Sequence, residues 1–186
     1  LTKKFDFAGS TNGAIPYGSL MQASDGKLYG MTKGGGVNGV GVLFQYDPTT
    51  SAYSKKIDFS LNTNGGSPYG SLIQANDGKL YGLAYQGGAG GGVGVLFQFD
   101  PSSSSYVIKV PFSGSTNGGY PQGSLMQASD GKLYGMTSQG GVNSMGVLFQ
   151  YNPVTSTYLK QYDFSLPNGG SPYGSLIQAS NGKLYG

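Results

Sequence analysis

PYGSLIQANDGKLYG, residues 68–82, decides the fold because the chain contains it four times. It reads PYGSLMQASDGKLYG at 16–30, PQGSLMQASDGKLYG at 121–135 and PYGSLIQASNGKLYG at 172–186, so the closing glycines fall 52, 53 and 51 residues apart. Self-similarity at this period means that the 186 residues are one supersecondary unit copied in series.

Within a unit the pattern predicts four short strands. Gly18 to Ala23 and Lys27 to Thr32 flank Asp25-Gly26, a dipeptide that predicts a two-residue type I′ hairpin, because both of its central positions take positive φ. Asn181-Gly182 stands there in the fourth copy. A glycine-rich loop, Gly34 to Gly41, leads into Val42 to Tyr46, and Asp47-Pro48 with the following Thr and Ser residues marks a second turn. Tyr53 to Phe59 interleaves Lys and Asp with aromatic and aliphatic residues, as a solvent-facing outer strand does. No window keeps a helical period.

Four even strands per unit predict an all-β chain, specifically a β-propeller of four-stranded blades with a repeat of about 52 residues. A stacked β-solenoid fits less well, since its repeats are shorter and lack paired hairpin turns. The expected array is a single domain over 1–186: an outer strand at 1–15, blades at 16–67, 68–120 and 121–171, and a partial blade at 172–186. The opening LTKKFDFAGSTNG aligns with YSKKIDFSLNTNG from Tyr53, while Met31 to Ala52 has no counterpart after Gly186. The expectation is a fragment of a longer array, whose ring closes with further repeats of the same polypeptide or with a second copy. Strand edges left unpaired would otherwise invite aggregation.

Composition limits the chemistry. There are 35 glycines but no Cys, His or Trp, all 11 basic residues are Lys, and all 8 acidic residues are Asp. A net charge of +3 spread through the repeats predicts no nucleic-acid partner and no membrane-binding basic face. No apolar run reaches membrane-spanning length, and no signal peptide opens the chain. Without His or Cys, the usual nucleophile–base pairs and most transition-metal sites cannot be assembled, so neither metal nor cofactor is expected. Absence of Arg also argues against a site that clamps a carboxylate with several arginines.

The aspartates occupy three repeated roles. Asp25, Asp77 and Asp130 sit in hairpins, Asp47 and Asp100 precede Pro at turn starts, and Asp6, Asp58 and Asp163 lie on the outer strand. None breaks the repeat as a catalytic carboxylate pair would, so no catalytic residue is assigned and no enzyme is expected. GGAGGGVG at 87–94 lacks the Lys-Ser/Thr and the helix of a phosphate cradle and reads as an inter-strand loop. Lys55, Lys56, Lys109 and Lys160 protect the outer strands from edge pairing.

The candidate ligand-binding residues are Tyr17, Tyr69 and Tyr173, beside Pro at the entry to each first strand, with Asn12, Asn64, Asn117 and Asn168 in the preceding loops. Aromatic faces beside amides on one rim suit sugar rings, while packing of the blade-to-blade connection explains the same tyrosines without a ligand. Tyr29, Tyr81, Tyr134 and Tyr185, one in each LYG, are expected between blades, with the hydroxyl reaching a partner. Gln22, Gln74, Gln127 and Gln178 either line a central channel or satisfy backbone groups there.

Gly34-Gly35, Tyr46-Asp47-Pro48 and Tyr53 resemble the kelch pattern, although kelch repeats usually carry Trp where this chain has Tyr53, Tyr106 and Tyr158. The whole phrase PYGSLIQASDG.LYG…GG…G.VF is similar, in every unit, to the GloVer-type tandem repeat. That resemblance implies a large secreted or cell-surface bacterial protein, often exported by type IX secretion in Bacteroidota. The function it implies is a non-catalytic scaffold or adhesion module whose partners are glycans or surface proteins. A lectin-like propeller using the rim Tyr and Asn residues is the alternative, and a polysaccharide-active enzyme fits least.

Overall fold

The computed structural model describes residues 2–88 and 92–186, without the side chain of Asn168. The chain is all-β, and among the described residues its one helical element is a 3-10 turn at Leu166–Asn168. Strands β1 (Met21–Gln22), β2 (Leu28–Thr32), β3 (Val42–Asp47) and β4 (Ala52–Asp58) form an antiparallel sheet in sequential order. The next two sheets repeat it: β5 (Ile73–Gln74), β6 (Leu80–Ala84), β7 (Val95–Phe99) and β8 (Tyr106–Pro111), then β9 (Met126–Gln127), β10 (Leu133–Met136), β11 (Val147–Asn152) and β12 (Thr157–Asp163). Strands β13 (Ile177–Gln178) and β14 (Leu184–Tyr185) pair as a two-stranded sheet.

The first hairpin of each unit departs from the type I′ expectation. Gly26 has φ 78°, but Asp25 does not share the left-handed region. Ala23 N–H donates to Lys27 C=O and Gly26 N–H to Ala23 C=O, both at 2.9 Å. This is a three-residue loop, a type I turn closed by glycine in the αL position. Asp25 explains the preference: its carboxylate accepts from Lys27 N–H at 3.0 Å and from the Tyr29 hydroxyl at 2.9 Å. Asn181 reproduces the bond from Lys183 N–H and donates its amide to the Tyr185 hydroxyl.

The first strand of each unit is also shorter than its sequence pattern. Ser19 N–H is bonded to Ser71 Oγ of the next unit, which takes it out of the ladder. Residues 2–8, expected as an outer strand, carry no ladder pairing. Their aromatic rings lie instead on the first sheet, with Phe5 stacked on Tyr53 at 4.1 Å and Phe7 edge-on to Phe44 at 5.2 Å. On the fourth strands a bulge leaves Lys56 unpaired between Ile57 and Lys55, and Lys109 unpaired between Val110 and Ile108. A bulge carrying Lys on an edge strand disfavours further pairing.

The core lies between sheets. Tyr29, Met31 and Leu43 of the first sheet pack on Leu72, Leu80, Phe97 and Phe99 of the second. Tyr81, Leu83 and Leu96, on the opposite face of that second sheet, pack on Leu125, Leu133, Phe149 and Tyr151 of the third. Side chains alternate across a strand, so β6 sends Leu80 to one interface and Tyr81 to the other and is buried along its whole length. Each fully buried Phe or Leu contributes about 1.5–3 kcal/mol over its exposed state.

Candidate binding site

The segments that enter the first strands meet at one end of the sheets. Gly18, Gly70 and Gly123 each lie against the carbonyl of the corresponding glycine one unit on, and a Cβ at Gly70 would sit 2.4 Å from Gly123 O. Only a residue without a side chain allows this approach. Beside them Ser19 N–H donates to Ser71 Oγ, Ser71 N–H to Ser124 Oγ and Ser124 N–H to Ser175 Oγ, at 2.7–2.8 Å. One step deeper, Gln74 accepts from Ser24 N–H at 2.8 Å and donates to Gly78 C=O of its own hairpin at 2.9 Å. Gln127 and Gln178 repeat the arrangement, so these amides satisfy backbone groups of adjacent units.

This stitching sets the tyrosines side by side. Tyr17, Tyr69, Gln122 and Tyr173 surround a depression of about 360 Å³ with the serines among its lining. Tyr17 and Tyr173 are 65% and 64% exposed, so their rings are open to a ligand. A row of aromatic rings continues from the depression: Tyr17 to Tyr69 at 5.3 Å, Tyr69 to Tyr85 at 5.1 Å, Tyr85 to Tyr120 at 5.2 Å. Interplanar angles of 52–69° are the tilted and edge-on arrangements that the ring quadrupole prefers. Lys33 Nζ stands over this row, 4.5 Å from the Tyr69 centroid and 5.7 Å from that of Tyr17. The Tyr69 hydroxyl beside it raises the Lys33 pKa, so the ammonium is charged at neutral pH. Partial burial, and then the neighbouring hydroxyls of Tyr69, Tyr120 and Tyr173, push the Tyr85 pKa up.

The sequence reading found Tyr17, Tyr69 and Tyr173 but passed over Lys33 and Tyr85. The signal was present as repeat-breaking. The third residue after the LYG glycine is Lys33, Tyr85 and Ser138 in the first three units, and the residue before Pro is Ile15, Ser67, Tyr120 and Ser171. Lys33, Tyr85 and Tyr120, from these two positions, meet in the aromatic row. Tyr120 is held at φ 55°, which is costly for an aromatic residue, and its N–H donates to Val93 O, just before the third strand of its unit, at 2.7 Å. Ser67 and Ser171 share both the dihedral and the bond.

The asparagines lie elsewhere. Asn64 accepts from Ser60 N–H at 2.6 Å and donates to Asp58 C=O at 3.3 Å, both across its own loop. Asn12 and Asn117 do the same with Ala8 and Asp6, and with Ser113 and Pro111. Their backbone carbonyls take the hydroxyls of Tyr53, Tyr106 and Tyr158 of the outer strands. The structure therefore separates these amides from the tyrosine rim, and the side chain of Asn168 lies outside the described residues. Part of the glycine loop at 87–94 lies outside them as well. Among the described residues no three Asp side chains converge as a metal-holding group.

A second depression, also about 360 Å³, is apolar and sits on the open face of the first sheet, between Leu20, Leu28, Phe44 and Tyr46 and the segment of Phe5 and Phe7. The equivalent residues of the second sheet, Leu72, Leu80, Phe97 and Phe99, are those covered by the first.

The fold is similar to those of several solved structures. The extracellular domain of a proposed one-component system from B. thetaiotaomicron matches with a TM-score of 0.66 at 18% identity over 99% of this chain and 20% of its own. The extracellular domain of a proposed hybrid two-component system from B. thetaiotaomicron gives 0.63 at 18% identity, again over 99% and 20%. TolB from Acinetobacter baumannii gives 0.52 at 14% identity over 89% of this chain and 35% of its own. The chain thus spans about a fifth of the length of the first two structures. No curated protein matches the sequence. No helix among the described residues is long and apolar enough to cross a membrane. The model of the Gloeobacter/Verrucomicrobia repeat matches residues 1–186, and the chain belongs to that family.

Proposed function

We propose that this chain is a run of blades from a β-propeller in an extracellular or cell-surface protein, a non-catalytic scaffold and adhesion module that takes carbohydrate at its tyrosine-lined depression. The propeller reading draws support from three sheets of identical strand order whose inner segments touch from unit to unit through Gly18, Gly70, Gly123 and Gly174. An extracellular place draws support from the likeness to the B. thetaiotaomicron extracellular domains. On this reading the apolar depression of the first sheet receives a further unit of the same kind, as the second sheet receives the first.

The observation that carries the binding function is the continuous row of Tyr17, Tyr69, Tyr85 and Tyr120 beside an open depression. Aromatic rings bury the apolar faces of sugar rings, and hydroxyls, Gln122 and the serines meet their polar edges. Glycan-array binding that is lost in Tyr17→Ala and Tyr85→Ala, with unchanged melting temperatures, is the expected result. An array blank across neutral and acidic polysaccharides would leave the scaffold without a sugar site. A longer polypeptide with one more preceding unit is expected to sediment as a monomer and to melt higher than this chain.

A further inference from the structure

We infer that the tyrosine-lined depression selects anionic sugars, with Lys33 as the specificity-determining residue. This rests on the carbohydrate reading above and names the class of sugar that the site prefers.

Charge at the site is one-sided. None of the eight aspartates lines the depression; they sit in hairpins (Asp25, Asp77, Asp130), at the ends of the third strands (Asp47, Asp100) or on outer-strand segments (Asp6, Asp58, Asp163). Lys3, Lys55, Lys79, Lys132 and Lys160 have their own carboxylates, and of the lysines without one only Lys33 stands over aromatic rings among the described residues. Lys33 has none among the described residues, and its ammonium faces the π-surfaces of Tyr69 and Tyr17. A cation placed there without a counter-ion creates a local positive potential beside stacking surfaces. A cationic ligand is disfavoured, because it would meet the like charge of Lys33.

The repeat sharpens the point. The second and third units place uncharged residues, Tyr85 and Ser138, at this position after the same LYG phrase. The fold therefore does not require lysine. Ser138 is used internally, donating to Tyr120 C=O at 2.7 Å, and Tyr85 joins the aromatic row. The Lys33 backbone N–H donates to Ile15 C=O at 3.0 Å, a bond that any residue but proline can make there, and its side chain makes no ion pair among the described residues. A sugar carboxylate or sulfate ester would complete the charge pairing while its ring lies against tyrosine.

The test is calorimetric titration of the intact chain with trigalacturonate, its neutral methyl ester, a sulfated galactan trisaccharide and triglutamate, at low and physiological salt. Trigalacturonate should bind at least about tenfold more tightly than its methyl ester, with the difference shrinking as salt screens the charge. Lys33→Gln should abolish that preference, leaving acid and ester bound alike, and Lys33→Arg, which keeps the charge, should retain it. Preference for the sulfated sugar over neutral ones, lost in the same variant, equally supports an anionic-sugar site and identifies the sulfate ester as the source. Equal binding of acid and ester, or a preference that survives Lys33→Gln, overturns the inference while the tyrosine-dependent carbohydrate reading stands. Triglutamate binding as tightly as the sugars overturns it in favour of an acidic peptide. If no probe binds and the glycan array is blank, both readings fall.

Discussion

The ring of Phe97 lies over the backbone of Gly82, its cross-strand partner, so closely that a Cβ on Gly82 would sit 2.5 Å from Phe97 Cζ. The stack continues outward to Tyr106, whose ring is 4.9 Å from that of Phe97. Gly30 with Phe44 and Tyr53, and Gly135 with Phe149 and Tyr158, repeat it. The glycine of LYG is thus the floor of an aromatic stack spanning three strands.

Gly82→Ala should therefore overpack the second sheet. Phe97 is fully buried and has nowhere to retreat, so a loss of about 1–3 kcal/mol is expected from urea unfolding. Combined with Phe97→Leu, which opens the space, the alanine should cost less than it does alone, and a double-mutant cycle measures that coupling.

Tyr151→Phe should be neutral or stabilising. The Tyr151 hydroxyl is buried and has no hydrogen-bond partner among the described residues. Its counterpart in the second unit is Phe99, which packs in the same place without one. Removing an unsatisfied buried polar group is worth about 1 kcal/mol, read as a rise in the urea midpoint at constant slope.

Asn64→Ala should destabilise the chain by about 2 kcal/mol, because two loop hydrogen bonds disappear and the backbone groups they served are left unpaired. Sugar binding should be unaffected once folding is restored by lower temperature. A lost affinity in the folded variant would return the asparagines to the binding site.

Stability should fall at both pH extremes. The Thr49 and Thr50 N–H groups hold the Asp47 carboxyl below the usual range, Lys79 and Ser102 do so for Asp100, and Lys160 for Asp163. A carboxyl depressed in the fold contributes stability above its unfolded pKa, and that contribution drains away as pH falls through the folded value. Unfolding midpoints should accordingly drop below about pH 4. Burial pushes the Tyr53 hydroxyl up to about 12 and also raises those of Tyr106 and Tyr158. A phenol raised in the fold contributes fully below its unfolded pKa and loses that contribution as pH climbs, so midpoints should drop again above about pH 10. Tyr106→Phe should flatten part of the alkaline limb.

Much of the strand pattern was legible because period-2 alternation and turn residues act locally. Val42 to Tyr46 and Tyr53 to Phe59 anticipate β3 and β4 to within a residue. The type I′ assignment missed because Asp25 is retained for a side-chain bond to Tyr29, which a dipeptide signal does not contain. The asparagines were read as rim residues because their position beside the Tyr-Pro entry is close in sequence. Which way an amide faces depends on the loop's own backbone polarity.

By itself the sequence determined the repeat and the number and order of strands in the three full units, since these follow from spacing and turn residues. The tertiary structure decided which residues meet. Tyr17, Lys33, Tyr69, Tyr85 and Tyr120 come from two units and from two kinds of loop. Only the close approach of Gly18, Gly70 and Gly123 brings those loops onto one face. The physical reason is that within a repeat, local forces act identically on every copy. A site arises where copies differ and long-range packing sets the differences side by side.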